Sequence, residues 1–274
     1  MVPVKTIVFM VTDMLLGIAV PLALLLFFRK KYKATLRSFF VGCAVMLLFA
    51  LVLEQLVHTA VLGSEAGDVI RNNVWLYALY GSLAAGLFEE CGRFLAMKYV
   101  LKREHDAPCN SLMYGAGHGG FEMFVLLFFG MINNLIYSVM LNRGSAGLLM
   151  SPLDAAGREA LQAAFDALIQ TPSWQFLVSP LERLAAITAQ LALSVIVWSA
   201  AVGKRKYMFP LAIFLHAFLD AVAVITSGLG VPLLAVEGIV WIIAAGYALF
   251  ARKVWKETLA ESPPEEPEPE ADII

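Results

Sequence analysis

The residues of this chain that could activate water are carboxylates and histidines set within apolar stretches. The candidate catalytic set consists of two glutamates and two histidines: Glu89, Glu90, His118 and His216. Residues within about one helical turn of this set, which could support it, are Arg93, Tyr114, Glu122 and Asp220. A carboxylate one turn from a histidine can fix its tautomer, and an arginine one turn from a carboxylate can hold it ionised. Hydrolysis of a peptide bond needs such groups, namely a base for water and donors for the oxyanion.

The same residues leave two chemistries open. A glutamate base with two histidines could activate water directly, and we favour Glu89 over Glu90 as this base because it precedes Arg93 by four residues. Alternatively, His118, His216 and Glu90 could bind a divalent metal such as zinc, which activates bound water. The spacing differs from the HExxH pattern of soluble zinc proteases, so the sequence alone does not decide between the two.

Composition places these charges in a membrane. Hydrophobic residues make up 60% of the 274 residues, charged residues only 15%, and the mean hydropathy is +0.76. A soluble globule could not cover so much apolar surface. We therefore exclude an ordinary cytosolic enzyme, a disordered chain and a nucleic-acid binder, and predict an integral protein of a bacterial plasma membrane, in contact with membrane lipid.

The apolar runs predict an all-α bundle of about seven transmembrane helices. The predicted spans are approximately 4–28, 39–62, 74–101, 111–141, 180–202, 208–228 and 231–251. Most of the 20 lysines and arginines flank the ends that face one side, which predicts an external N-terminus and a cytoplasmic C-terminus. These spans form one domain over 1–255. An external loop over 142–179 contains a predicted amphipathic helix at 155–169, and 256–274 is predicted to be a disordered, acidic, proline-rich tail.

Topology brings the candidate catalytic residues to one depth. Counted from the predicted cytoplasmic ends of their spans, Glu89, Glu90, His118 and His216 lie about 10–14 Å into the membrane. Charges at such depth are costly and indicate function. A second polar cluster is predicted near the outer ends of two other spans, where structural pairing and substrate gating both remain open: Glu54, His58, Glu182 and Arg183. Gly115 and Gly119 form a GxxxG pair beside His118, which favours close helix approach.

The order of the motifs resembles a known family. Glu89-Glu90-x-x-Arg93, Tyr114-x-x-x-His118 within GAGHGGFE, and His216-x-x-x-Asp220 follow one another on three predicted helices. This set resembles the YhfC family of intramembrane metalloproteases, part of a wider group with the CAAX prenyl proteases, the abortive-infection membrane proteins and the PrsW-type proteases. The resemblance covers roughly residues 1–255. Compared with the prenyl protease pattern, Arg93 stands one residue nearer the glutamates, and Tyr114 replaces a phenylalanine.

The resemblance implies an intramembrane endopeptidase. Glu89 or Glu90 would be the general base, His118 would assist it, and His216 with Asp220 would line the site and support the oxyanion. The substrate would be a membrane-embedded or lipid-anchored peptide, cut near the cytoplasmic face. Two other functions fit the same residues: a proton-coupled transporter with a Glu/His relay, and a non-catalytic scaffold whose polar residues only join helices.

Overall fold

The protein is described here by a computed structural model that covers residues 1–203 and 205–260. Within these ranges it is helical and has no β-strand, which confirms the predicted all-α class. The helices are α1 (Val4–Tyr32), α2 (Leu36–Leu62), α3 (Glu65–Arg71), α4 (Val74–Leu95, continued by the π-helical turn Ala96–Val100), α5 (Cys109–Asn142), α6 (Gly147–Met150), α7 (Ala155–Gln170), α8 (Ser173–Ala201), α9 (Met208–Gly228) and α10 (Leu233–Ala260).

Six helices in the described part of the chain are long and apolar enough to cross a membrane, namely α1, α2, α5, α8, α9 and α10. Helix α4, which corresponds to the predicted third span, is not among them. It is long enough, but Glu89, Glu90 and Arg93 fall within it and make it less apolar. A seventh span and the orientation of the termini therefore stay predictions.

Local sequence fixes several helix starts. The side chain of Asn73 accepts hydrogen bonds from the backbone N–H groups of Trp75 and Leu76 at the start of α4. The Asp154 side chain caps α7 in the same way, by accepting from Gly157 N at 2.8 Å. The Asn110 side chain accepts from Thr35 N at 2.8 Å and so ties the start of α2 to the start of α5.

Helix α8 forms the centre of the bundle. In its most apolar stretch 78% of the residues are buried, against 11–33% in the other five apolar helices. Its residues Leu193, Ile196 and Trp198 belong to a core that extends onto α10 through Val240 and Ala244. A polar side chain on α8 can therefore point into protein rather than into lipid.

Two peripheral predictions have different outcomes. The helix predicted at 155–169 is present as α7, and its Phe165 and Leu168 are buried, as an amphipathic helix requires. The first residues of the predicted tail, 256–260, are helical instead, because α10 continues to Ala260. Residues 261–274 lie outside the described part of the chain, so the predicted disorder there is not addressed.

Candidate active site

Three helices bring one glutamate and two histidines together. The Nε2 atom of His118 on α5 lies 2.8 Å from Oε2 of Glu89 on α4. The Nε2 atom of His216 on α9 lies 3.9 Å from the same oxygen. All three side chains are buried, with 0% of His118, 5% of His216 and 7% of Glu89 exposed. The convergence that sequence topology predicted is therefore observed in the packed bundle.

Glu90 has different partners from Glu89. Its Oε1 accepts a hydrogen bond from His216 Nδ1 at 2.7 Å and lies 3.1 Å from the Arg93 guanidinium. Glu90 and Arg93 are both fully buried. The spacing placed both glutamates within reach of Arg93, and the structure pairs the arginine with Glu90, three residues before it, rather than with Glu89, four before it. Glu90 instead sets the orientation of His216 and leaves its Nε2 free of that contact.

A glutamine that the sequence analysis missed joins these groups. Gln190, on the central helix α8, donates from Nε2 to Glu89 Oε2 at 3.0 Å and to Glu122 Oε2 at 3.3 Å. Its Oε1 accepts a hydrogen bond from Arg93, and the residue is 5% exposed. The amide thus links the buried arginine to the proposed base. Its signal in the sequence was a single uncharged amide within an apolar run, which a search for charges passes over.

The two acids placed one turn after the histidines behave differently. Asp220 Oδ2 is 3.5 Å from His216 Nε2, close to the position that its spacing predicted. Glu122 instead forms an ion pair with Arg183 at 2.7 Å and makes no hydrogen bond to His118 among the described residues. The expectation that Glu122 orients His118 was therefore wrong, because an arginine from α8 takes that carboxylate.

The predicted outer cluster divides into two separate groups. His58 Nε2 lies 3.0 Å from Glu54 Oε1, and His58 Nδ1 lies 2.9 Å from the Tyr80 hydroxyl. Arg183 pairs with Glu182 and with Glu122, and so belongs to the main site. The four residues therefore do not form one cluster, because α8 turns its pair toward α5 whereas α2 turns its pair toward α4.

A cavity of about 120 Å³ opens beside the proposed base. Its polar lining residues are Glu89, Glu122, Glu182, Arg183, Gln190, His216 and Asp220. Glu90 is not part of this lining. Of the two neighbouring glutamates, Glu89 is thus the one with access to a space that could hold water and a peptide carbonyl.

Glycines allow the helices to approach this closely. A Cβ atom at Gly117 would lie 1.9 Å from the Phe39 carbonyl oxygen of α2, and one at Gly119 would lie 2.9 Å from the Gln190 side chain of α8. A Cβ at Gly115 would lie 2.9 Å from Leu191 Cα, so the predicted close approach of the GxxxG pair is confirmed. The Tyr114 ring is fully buried and stacks on His118, with ring centroids 5.9 Å apart.

The predicted metal ligands do not form a metal-binding group. Glu90 is engaged by Arg93 and by His216 Nδ1, and it makes no hydrogen bond or ion pair with His118 among the described residues. Across residues 1–203 and 205–260 no three His, Cys, Asp or Glu side chains are arranged to hold a metal ion. The set of His118, His216 and Glu90 is therefore a poor fit to a metal in this geometry.

The chain is similar in sequence to known proteins. A family model described as YhfC intramembrane metalloprotease matches residues 16–241. The chain is also 34% identical over 248 residues to a Bacillus subtilis (strain 168) protein named "Uncharacterized membrane protein YhfC". The aligned region covers 89% of this chain and 95% of that protein. No solved structure matches the chain. With the six apolar helices, these matches indicate an integral protein of the bacterial plasma membrane. The chain belongs to the YhfC intramembrane metalloprotease family.

Proposed function

We propose that this protein is an intramembrane endopeptidase in which Glu89 activates water. The observation that carries the proposal is the arrangement around Glu89 Oε2, which lies within hydrogen-bonding distance of His118 Nε2 and Gln190 Nε2. Two donors on one oxygen leave Oε1 available for a proton. The carboxylate also lines the cavity, where a water molecule and a peptide bond would meet.

The first chemical step forms the tetrahedral intermediate. A water molecule in the cavity gives a proton to Glu89 Oε1 while its oxygen attacks the carbonyl carbon of the scissile bond. His118 and Gln190 keep the carboxylate ionised and oriented for this transfer. General-base catalysis of this kind typically contributes about 10²–10⁴-fold to the rate.

His216 is the proposed donor to the oxyanion. Its Nδ1 is held by Glu90, so Nε2 faces the cavity beside Glu89 and Asp220. With a proton on Nε2, the ring donates to the carbonyl oxygen as negative charge develops there. The neighbouring carboxylates of Glu89, Glu90 and Asp220 stabilise the positive charge of the ring.

Collapse of the intermediate breaks the carbon–nitrogen bond. Glu89 returns its proton from Oε1 to the leaving nitrogen, so one water is consumed and the base is regenerated. The products are a new carboxyl terminus and a new amino terminus. Because the site is enclosed by apolar helices, we propose a membrane-embedded or lipid-anchored peptide as the substrate, with cleavage near the cytoplasmic face.

The experiment compares peptide ends in membranes of cells that lack their own copy of the protein. Cells are supplied with the wild-type chain or with Glu89→Ala, Glu90→Ala, His118→Ala or His216→Ala. Glu159→Gln, an exposed carboxylate on α7, is the matched control. We expect new peptide ends with the wild type and the control, and their loss in the four variants. Cleavage that persists in all four variants would contradict the proposal.

A further inference from the structure

A second cavity of the protein lies on the opposite side of α8 from the proposed active site. It is a groove of about 300 Å³, within the usual range for small-molecule sites. Its lining residues come from α1, α5, α8 and α10 and include Tyr32, Thr188, Ala192, Ala248, Arg252 and Trp255. On α8 the lining residues lie on the opposite face from Gln190 and Arg183, roughly half a turn around the helix axis. The groove therefore does not lead into the catalytic cavity.

The walls of the groove are suited to a hydrocarbon chain. Small side chains on two facing helices, Ala192 on α8 with Ala248 and Ala251 on α10, leave the space open. The hydroxyl of Thr188 donates to the Leu184 carbonyl oxygen, so it needs no partner in the groove. Nearly all of the lining is aliphatic or aromatic, and it carries no carboxylate.

Positive charge lies on the lining of the groove and beside it. The exposed guanidinium of Arg252 is part of the lining, and Lys31 Nζ lies 5.3 Å from the centroid of the Tyr32 ring, another lining residue. Tyr32 and Trp255 are aromatic side chains of the kind that anchor proteins at the level of lipid headgroups. An apolar space with one cation and two aromatic rings in its lining, and a second cation beside one of those rings, complements the charge and polarity of an anionic phospholipid.

We propose that this groove is a binding site for one anionic phospholipid. An acyl chain lies between α8 and α10 against Ala192 and Ala248. The headgroup phosphate accepts hydrogen bonds from Arg252, and Lys31 adds a second positive charge at the rim. Because α8 also carries Gln190 on its other face, the lipid contacts the helix that positions the proposed base. The inference does not depend on peptidase activity.

The test measures lipid binding directly. Detergent-purified protein is titrated with dioleoylphosphatidylglycerol or dioleoylphosphatidylcholine, and bound lipid is counted by native mass spectrometry beside thermal unfolding. The wild type is expected to retain one phosphatidylglycerol and to be stabilised more by it than by phosphatidylcholine. Arg252→Gln is expected to weaken phosphatidylglycerol binding about tenfold, as the loss of one charge-assisted hydrogen bond predicts.

Matched variants separate the groove from general surface charge. Lys253→Gln removes the neighbouring exposed charge outside the lining and is expected to change binding less than about twofold. Lys31→Gln should weaken binding, and Thr188→Phe should block the chain while Arg252 remains. Equal stabilisation by both lipids, or unchanged phosphatidylglycerol binding in Arg252→Gln or Thr188→Phe, would overturn the proposal. Peptidase activity is not the readout, so failure here would leave the proposed function standing.

Discussion

Exchanging each of the two adjacent glutamates for glutamine should separate catalysis from folding. Glu89→Gln keeps a carbonyl oxygen that can accept from His118 and Gln190, but the amide cannot take a proton from water. Glu90→Gln leaves Glu89 intact and instead weakens the ion pair with Arg93 and the contact to His216 Nδ1. Each glutamine has the same shape as the glutamate that it replaces, so neither substitution leaves a cavity or a steric clash.

The two variants are expected to lose different properties: cleavage rate in Glu89→Gln and folding stability in Glu90→Gln. Loss of the base in Glu89→Gln should lower the cleavage rate about 10³-fold, which is about 4 kcal/mol of activation free energy. Its free energy of unfolding should change by less than about 1 kcal/mol. In Glu90→Gln the Arg93 guanidinium stays fully buried without a charged partner, which should cost roughly 2–4 kcal/mol of folding stability. Activity should also fall there, because His216 loses its orientation.

The assay measures cleavage of an identified membrane substrate by purified protein in liposomes, beside thermal unfolding of each variant in detergent. Glu159→Gln on the exposed surface of α7 controls for loss of a carboxylate as such. We expect Glu89→Gln to be folded and inactive, and Glu90→Gln to unfold several degrees lower than the wild type. If Glu90→Gln were stable and inactive while Glu89→Gln stayed active, the assignment of the two glutamates would be refuted.

Three further predictions concern the network, the helix contacts and metal. Gln190→Leu leaves Glu89 and Arg93 without their amide partner and should lower the cleavage rate roughly 10–100-fold, whereas Gln162→Leu on α7 should not; equal rates would contradict the positioning role. Gly117→Ala places a Cβ 1.9 Å from the Phe39 carbonyl oxygen and should lower unfolding stability by about 1–3 kcal/mol in denaturation experiments. Gly130→Ala, with nothing within 4 Å, is the control and should be neutral or stabilising. Elemental analysis of the purified protein should find zinc well below one ion per chain, and stoichiometric zinc that His118→Ala removes would contradict the side-chain mechanism.

Sequence reasoning reached the architecture because the bilayer sets helix length. All seven predicted spans correspond to helices that begin and end within a few residues of the predicted bounds, except that α8 begins seven residues early at Ser173 and α10 continues to Ala260. The shared depth of Glu89, His118 and His216 follows from counting residues along each helix. Depth does not give the rotation of a helix about its axis, which decides the partners of each side chain.

The hydrogen-bond and ion-pair partners of the site residues therefore follow only from the structure. Arg93 is within one turn of both glutamates, so spacing alone does not show that it pairs with Glu90. Only the position of α8 shows that Gln190 engages it as well. Glu122 stands one turn from His118 in the sequence but contacts Arg183, 61 residues away. Side chains that join helices far apart in the sequence cannot be paired from spacing within one helix.

The most direct test of the account is single-turnover cleavage by the purified protein in liposomes that contain one identified substrate and no other protein. The wild-type chain should yield two fragments whose new ends are joined in the intact substrate. Glu89→Gln should bind the substrate and yield neither fragment. Equal cleavage by Glu89→Gln, or no cleavage by the wild-type chain, would contradict the claim that Glu89 activates water for peptide hydrolysis.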